Sequence, residues 1–171
     1  MIAYLGLGSN LGDRLANLQQ ALNRLDLRAG EVTKVSSVYE SDPMYVEDQP
    51  AFLNAVVELQ TDFEPSDLLR VVKEIETECG RLRRDRYGPR EVDIDLVVMT
   101  TDSGEIIKVD LEHLVLPHPR LCERRFVVEP LSETAPTLHV CGGLTTQLAT
   151  HALQEQSCVR LTNAILSIHS D

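Results

Sequence analysis

The chain has no tryptophan, and its only aromatic residues are four tyrosines and three phenylalanines. A sugar site walled by indole rings is therefore excluded. Positive charge is also scarce: 16 Lys and Arg stand against 27 Asp and Glu, a net charge of −11. Such a chain repels nucleic acid and anionic membranes as a whole, so neither is a partner, and an anionic ligand has to meet a local basic patch. No apolar run reaches membrane-spanning length. The opening MIAYLGLGSN lacks the basic start, long apolar core and small-residue cleavage site of a signal peptide. The four cysteines, Cys79, Cys122, Cys141 and Cys158, form no C-x-x-C pair. They read as buried or free thiols of a reducing compartment, which makes the protein cytoplasmic. Internal repeats and low-complexity segments are missing too.

At 171 residues the chain is long enough to bury a core as one domain without metal or disulfide staples. Residues 2–8 (IAYLGLG) predict a strand. Ser9 and Asn10 are placed to cap a helix striped by Leu11, Leu15, Leu18, Leu22 and Leu25. Residues 31–40 predict a second strand, broken at Asp42-Pro43. Residues 52–61 alternate, with Leu53, Ala55, Val57 and Leu59 on one face and Phe52, Asn54, Val56 and Glu58 on the other. A helix then starts at Glu64-Pro65, buries Leu68, Leu69, Val72, Ile75 and Cys79, and ends at Gly80 in the position of a C-terminal glycine. The order β-α-β-β-α-β predicts an α+β fold, a ferredoxin-like core with an antiparallel sheet, two helices on one face and the other face free for a ligand. Beyond it we expect a hairpin near 105–109, a helix over 124–130 and a C-terminal helix after Thr145. The glycines of GLGSNLGD fit neither the dinucleotide fingerprint nor a Walker loop, and read as a tight strand-to-helix turn.

The stretch REVDIDLVV (90–98) poses the chemical question. Alternation puts Asp93 and Asp95 on one strand face, with Cα atoms about 6.5–7 Å apart. Two like charges there are costly unless a cation joins them. Taken alone, a solvated strand face explains them equally well. The preceding run supplies Arg81, Arg83, Arg84, Arg86 and Arg90. Surface ion pairs with Glu76, Glu78 and Asp85 could occupy two or three of these. Carboxylates beside several guanidiniums fit a magnesium–polyphosphate site, in which the metal keeps waters and phosphate ligands and arginine forks take the remaining oxygens. A glycosidase carboxylate pair has no need of the arginines.

With RYGPREVDIDLV in view, the sequence resembles the 6-hydroxymethyl-7,8-dihydropterin pyrophosphokinases of folate biosynthesis. The likeness extends over LGSNLGD, DQPAFLNAVV, ETECGRLRR, LPHPRL and RRFVVEPL, roughly residues 1–140. It implies a single pyrophosphokinase domain over residues 1–171 that transfers pyrophosphate from ATP to the pterin hydroxymethyl group, giving AMP, with two Mg²⁺ ions. By resemblance, Asp93 and Asp95 are the metal ligands, and Arg81, Arg90, Asp93 and Asp95 the catalytic set. Lys73, Glu76, Arg81, Arg83, Arg90, His118 and Arg124 would contact ATP. Asp42, Pro43, Met44, Phe52, Asn54, Asp93 and Phe126 would contact the pterin. ATP and the pterin are the small-molecule partners implied, with other folate-pathway enzymes as the class of protein partner. The loops 43–50 and 80–90 would close over both substrates.

The chain departs from the family pattern at Tyr87, where tryptophan is common, at Lys73, where glutamine is common, and at Asp42 and Pro119. The resemblance assigns no match to its tail after Cys141. The reading from another class is a non-enzymatic ferredoxin-like module that senses a nucleotide without turnover.

Overall fold

A computed structural model describes residues 1–44, 48–80 and 88–168. The chain runs through β1 (Ile2–Ser9), α1 (Arg14–Arg28), β2 (Glu31–Val35), β3 (Tyr39–Ser41), β4 (Phe52–Gln60), α2 (Pro65–Glu78) and β5 (Asp93–Thr100). The hairpin β6 (Val109–Leu111) and β7 (Leu114–Leu116) and helix α3 (Arg125–Thr134) follow. The tail adds β8 (His139–Cys141), β9 (Leu144–Thr145), the short α4 (Thr146–Ala149) and β10 (Val159–Arg160).

The main sheet has the order β10-β3-β4-β1-β5, with β2 also on β4, and every pairing is antiparallel. The expected element order is present, except that the strand over 31–40 is two strands. Its break at residues 36–38 is held by Ser36, whose hydroxyl accepts the Val56 N–H at 2.9 Å while its own N–H donates to the Val56 carbonyl at 2.9 Å.

Alternation along the strands sorts the core into two layers. On one face Leu5, Leu7, Leu53, Ala55, Val57 and Leu59 pack under Leu18, Leu22 and Leu25 of α1 and Leu68, Val72 and Ile75 of α2. The other face is not free, as the sequence had suggested. There Tyr4, Val56, Val97 and Val98 are covered by Val127, Val128 and Leu131 of α3. That helix runs four residues past its expected end and contains Pro130. A ligand is left the part of the face beyond α3.

Val97 and Val98 are neighbours in sequence yet face the same way, which simple alternation forbids. A register shift explains it: Tyr4 pairs with Val98 and Leu5 with Leu96, so Val97 is an extra residue, a β-bulge. Its carbonyl is out of the ladder and accepts the N–H of His118 at 2.7 Å.

Helix starts differ from expectation as well. Asp13 caps α1, its carboxylate accepting the Ala16 N–H at 3.1 Å; Ser9 and Asn10 have other work. The hairpin lies at 109–116, not 105–109, although Ile106 bridges to Thr100. The C-terminal helix is a single turn, α4. Cys122 and Cys141 form a disulfide with Cα atoms 5.4 Å apart, so the reading of four thiols holds only for Cys79 and Cys158. Among the described residues no helix is long and apolar enough to cross a membrane.

Gly30, between α1 and β2, has φ +146°, and a Cβ there would stand 2.1 Å from the Gln60 carbonyl oxygen. Gly30→Ala is therefore expected to cost about 3 kcal/mol in urea unfolding. At Gly104 (φ +84°), where a Cβ would meet nothing within 4 Å, the same change should cost only about 1 kcal/mol.

Candidate active site

Beyond α3 the sheet face opens into a cleft of about 420 Å³. Its floor is set by register. Gly8 of β1 pairs with Asp93 and Gly6 with Asp95, while on the other side Gly8 pairs with Asn54. The two aspartates share one face of β5, as their spacing predicts, and both line the cleft. The glycines are strand residues, not the turn read from the sequence; the turn glycine is Gly12, with φ +66°. With no Cβ they keep the floor between Asn54 and Asp93 open, since a Cβ on Gly8 would lie 3.6 Å from Asn54 Oδ1 and 3.9 Å from the Phe52 ring.

β5 is the edge strand, so the outward peptide groups of Ile94, between the two aspartates, need partners. Helix α2 supplies them. The Ile94 N–H donates to Glu76 Oε1 at 2.7 Å, and its carbonyl accepts Lys73 Nζ at 3.3 Å. Lys73 also pairs with Glu76 at 2.9 Å. Glu76, read as a nucleotide contact, is only 3% exposed and stands behind the strand. Lys73, three residues earlier and half exposed, lines the cleft.

Two aromatic walls flank the floor. Phe52, at the start of β4, has the Arg90 guanidinium 6.0 Å from its ring centre; Phe126, in the first turn of α3, has that of Arg124 at 5.8 Å. Asn54 is buried, and its Nδ2 donates to Ser41 Oγ at 2.9 Å, which fixes the amide plane. Asp42 and Met44 also line the cleft; Pro43 does not.

Asn10, 1% exposed, fastens the rims. Its Nδ2 donates to Gln49 Oε1 at 3.0 Å and to the Pro50 carbonyl at 3.1 Å. Its Oδ1 accepts the Arg90 N–H at 2.8 Å, and its own N–H donates to the Arg90 carbonyl at 3.2 Å. Sequence reasoning gave Asn10 the wrong task, because a polar residue before a helix is indistinguishable from a cap. Arg81 and Arg83, together with Arg84, Asp85, Arg86 and Tyr87, lie outside the described residues. Glu78, one of the acids offered as their ion-pair partners, is taken by Arg24 and Arg28.

The electrostatics follow from this placement. Arg90 Nη1 donates to Asp93 Oδ2 at 2.6 Å. Asp95 has Arg124 Nη1 at 3.6 Å and remains 40% exposed. The protein around it and the charge of Asp93 together push its carboxyl above the ordinary range, against the pull of Lys73, His118 and Arg124. His118 is held on the cleft rim by its bond to the bulge. Burial lowers the pKa of its imidazole, and its Nδ1 accepts the Arg120 N–H at 3.1 Å.

The arrangement suits a hard cation carrying phosphates. Among the described residues no group of three or more His, Cys, Asp or Glu is placed to hold a metal ion.

The 7,8-dihydro-6-hydroxymethylpterin-pyrophosphokinase family model matches residues 4–136. The chain is 47% identical over 133 residues to the 2-amino-4-hydroxy-6-hydroxymethyldihydropteridine pyrophosphokinase of Bacillus subtilis, covering 77% of each. It is 42% identical over 160 residues to the protein of that name from Methylorubrum extorquens, covering 93% of this chain and 98% of the relative. It matches 21% of the much longer folic acid synthesis protein FOL1 of Dictyostelium discoideum at 42% identity, over 81% of this chain. A crystal structure of an HPPK-DHPS in complex with substrates superposes with a TM-score of 0.68 at 13% identity, over 88% of this chain and 43% of that one. The wild-type Plasmodium falciparum HPPK-DHPS structure gives 0.63 at 16%, over 88% and 44%. The chain thus spans less than half of these bifunctional structures.

Asp95 supplies a test of the site's charge balance without ligand. A carboxyl whose native pKa is raised stabilises the fold below its unfolded value of 3.8 and loses that contribution as pH rises through the native value. Asp95→Asn should therefore be more stable than the parent at neutral pH in chelator. The gain should be a few tenths to about 1 kcal/mol once solvent screening is allowed for, and it should vanish by about pH 3. Urea unfolding at the two pH values measures it.

Proposed function

The chain belongs to the 7,8-dihydro-6-hydroxymethylpterin-pyrophosphokinase family, and from that premise we propose how its cleft carries the reaction. It transfers pyrophosphate from ATP to the hydroxymethyl group of 6-hydroxymethyl-7,8-dihydropterin in folate biosynthesis, giving AMP and the pterin diphosphate. The observation that carries the mechanism is the cleft floor, in which Asp93 and Asp95 stand opposite Gly8 and Gly6 between the walls of Phe52 and Phe126.

The pterin lies between Phe52 and Phe126, and Asn54, its amide plane held by Ser41, reads the ring edge. The triphosphate meets Arg90, His118 and Arg124, with Arg81 and Arg83 assigned by resemblance, and Lys73 supplies a further cation beside Asp95. Two Mg²⁺ ions held by Asp93 and Asp95 would neutralise the phosphate oxygens. The hydroxymethyl oxygen attacks the β-phosphorus and loses its proton. The bond from that phosphorus to the oxygen bridging to the α-phosphate breaks, and AMP departs. Positioning and electrostatics do most of the work in such transfers. Arg90, bound to Asp93 in this structure, has its fork beside the carboxylate that would hold the metal, so it is placed to meet a phosphate there as well.

The strand order β5-β1-β4 followed by β2 and β3 supports the ferredoxin-like reading of the core, and we take residues 1–171 as one pyrophosphokinase domain. Its family supports an enzyme on small-molecule substrates working beside other folate-pathway enzymes. A cytoplasmic setting is proposed with it, although the Cys122–Cys141 disulfide removes the argument for it from four free thiols.

Mixing the protein with ATP, Mg²⁺ and the reduced hydroxymethylpterin should release AMP, detectable by chromatography. Release of ADP, or no product from folded protein, refutes the reading. Gly8→Val should leave the melting temperature near the parent's, because a Cβ at Gly8 makes only ordinary contacts. Its methyls would fill the pterin floor, and KM for the pterin should rise about tenfold or more while nucleotide affinity holds.

A further inference from the structure

Helix α3 delivers Arg124 and Phe126 to the cleft, yet its N-cap residue, Arg124, makes no side-chain cap. The tail makes it instead. Gln156 Oε1 accepts the Arg125 N–H at 2.9 Å, and Gln156 Nε2 donates to the Glu123 carbonyl at 2.7 Å. Arg124 is the residue between those two bonds. Arg125 grips back, its Nη1 donating to the carbonyls of Gln154 at 3.2 Å and Gln156 at 3.0 Å. One residue before Glu123, the Cys122–Cys141 disulfide ties the same segment to the tail. The family match stops at residue 136, so both anchors come from chain beyond it.

We propose that Gln156 is a positioning residue for the nucleotide: by holding the backbone on both sides of Arg124, it aims that guanidinium into the cleft beside Asp95. An arginine on an uncapped helix start would lose part of its orientation before binding, and ordering it again would weaken affinity. The inference rests on the reading of the cleft as an ATP site.

Calorimetric titration with Mg²⁺ and α,β-methylene-ATP tests it on the full chain. Gln156→Ala should weaken binding about five- to tenfold, the loss of two hydrogen bonds felt through one contact. Gln156→Glu keeps the acceptor for Arg125 but not the donor to Glu123, and should recover part of the loss. In an Arg124→Ala background, Gln156→Ala should have no further effect on affinity. A purely structural role predicts a lower melting temperature with unchanged nucleotide affinity, or an equal penalty with and without Arg124, and either result overturns the proposal. If the parent itself fails to bind the analogue, the ATP-site reading falls, and the proposal with it. If the parent binds and Gln156→Ala binds equally well, the proposal alone falls.

Discussion

The cleft depends on the register between β1 and β5. Pairing Gly8 with Asp93 and Gly6 with Asp95 puts the two smallest side chains of the sheet next to its two cleft-facing acids. Shift that register by one residue and Ile94 and Leu96 would face the cleft while the aspartates entered the core under α1 and α2. The bulge at Val97 adds a second consequence. It returns Val98 to the face that α3 covers, and it frees the carbonyl that holds the His118 N–H. One irregularity thus divides the sheet face between a packed half and an open half and fastens the loop at their boundary.

The acids are held in place at an electrostatic cost. Arg90, Lys73, Arg124 and His118 surround them, yet burial and mutual repulsion still raise the Asp95 carboxyl. Glu76 and Lys73 resist the relaxation that would relieve this repulsion, because they bind both outward peptide groups of Ile94. The pair of charges cannot spread apart without breaking bonds at the strand edge. If the pair holds the divalent ion proposed above, its ligands are already fixed on one strand face, so less of the binding energy would be lost to rearrangement.

Much of this was legible in the residues because it is local. The period of two in Asp93-Ile94-Asp95 and the odd polar residue Asn54 two places from Phe52 report which side chains share a face without any knowledge of partners. The failures concern information carried by partners. Gly6 and Gly8 look like turn glycines until the neighbouring strands are known, and Asn10 looks like a helix cap until loop 49–50 and Arg90 are brought to it. Resemblance makes both Lys73 and Glu76 on α2 nucleotide contacts, yet of the two only Lys73 lines the cleft. The β-branched run of 31–40 carries no sign that Ser36 will interrupt it. The pairing of Cys122 with Cys141 depends on a tail whose path has no periodic signal.

The division of labour between sheet and loops follows from these attachments. The acids, and Phe52 and Asn54 proposed to meet the pterin, sit on strands whose positions are set by ladders on both sides or by α2. Three of the described basic residues reach the cleft from segments tethered at a few points: Arg90 through Asn10, His118 through the bulge carbonyl, Arg124 through Gln156 and the Cys122–Cys141 disulfide; Lys73 alone comes from a helix, α2. A sheet cannot adjust to a triphosphate that must arrive and leave, whereas a loop held at one or two points can swing its side chain and return. Substitutions at the tethers should consequently alter nucleotide affinity more than fold stability. In this molecule the divide runs through neighbouring residues: Asp93 belongs to the rigid floor, and Arg90, its partner three residues earlier, to the adjustable rim.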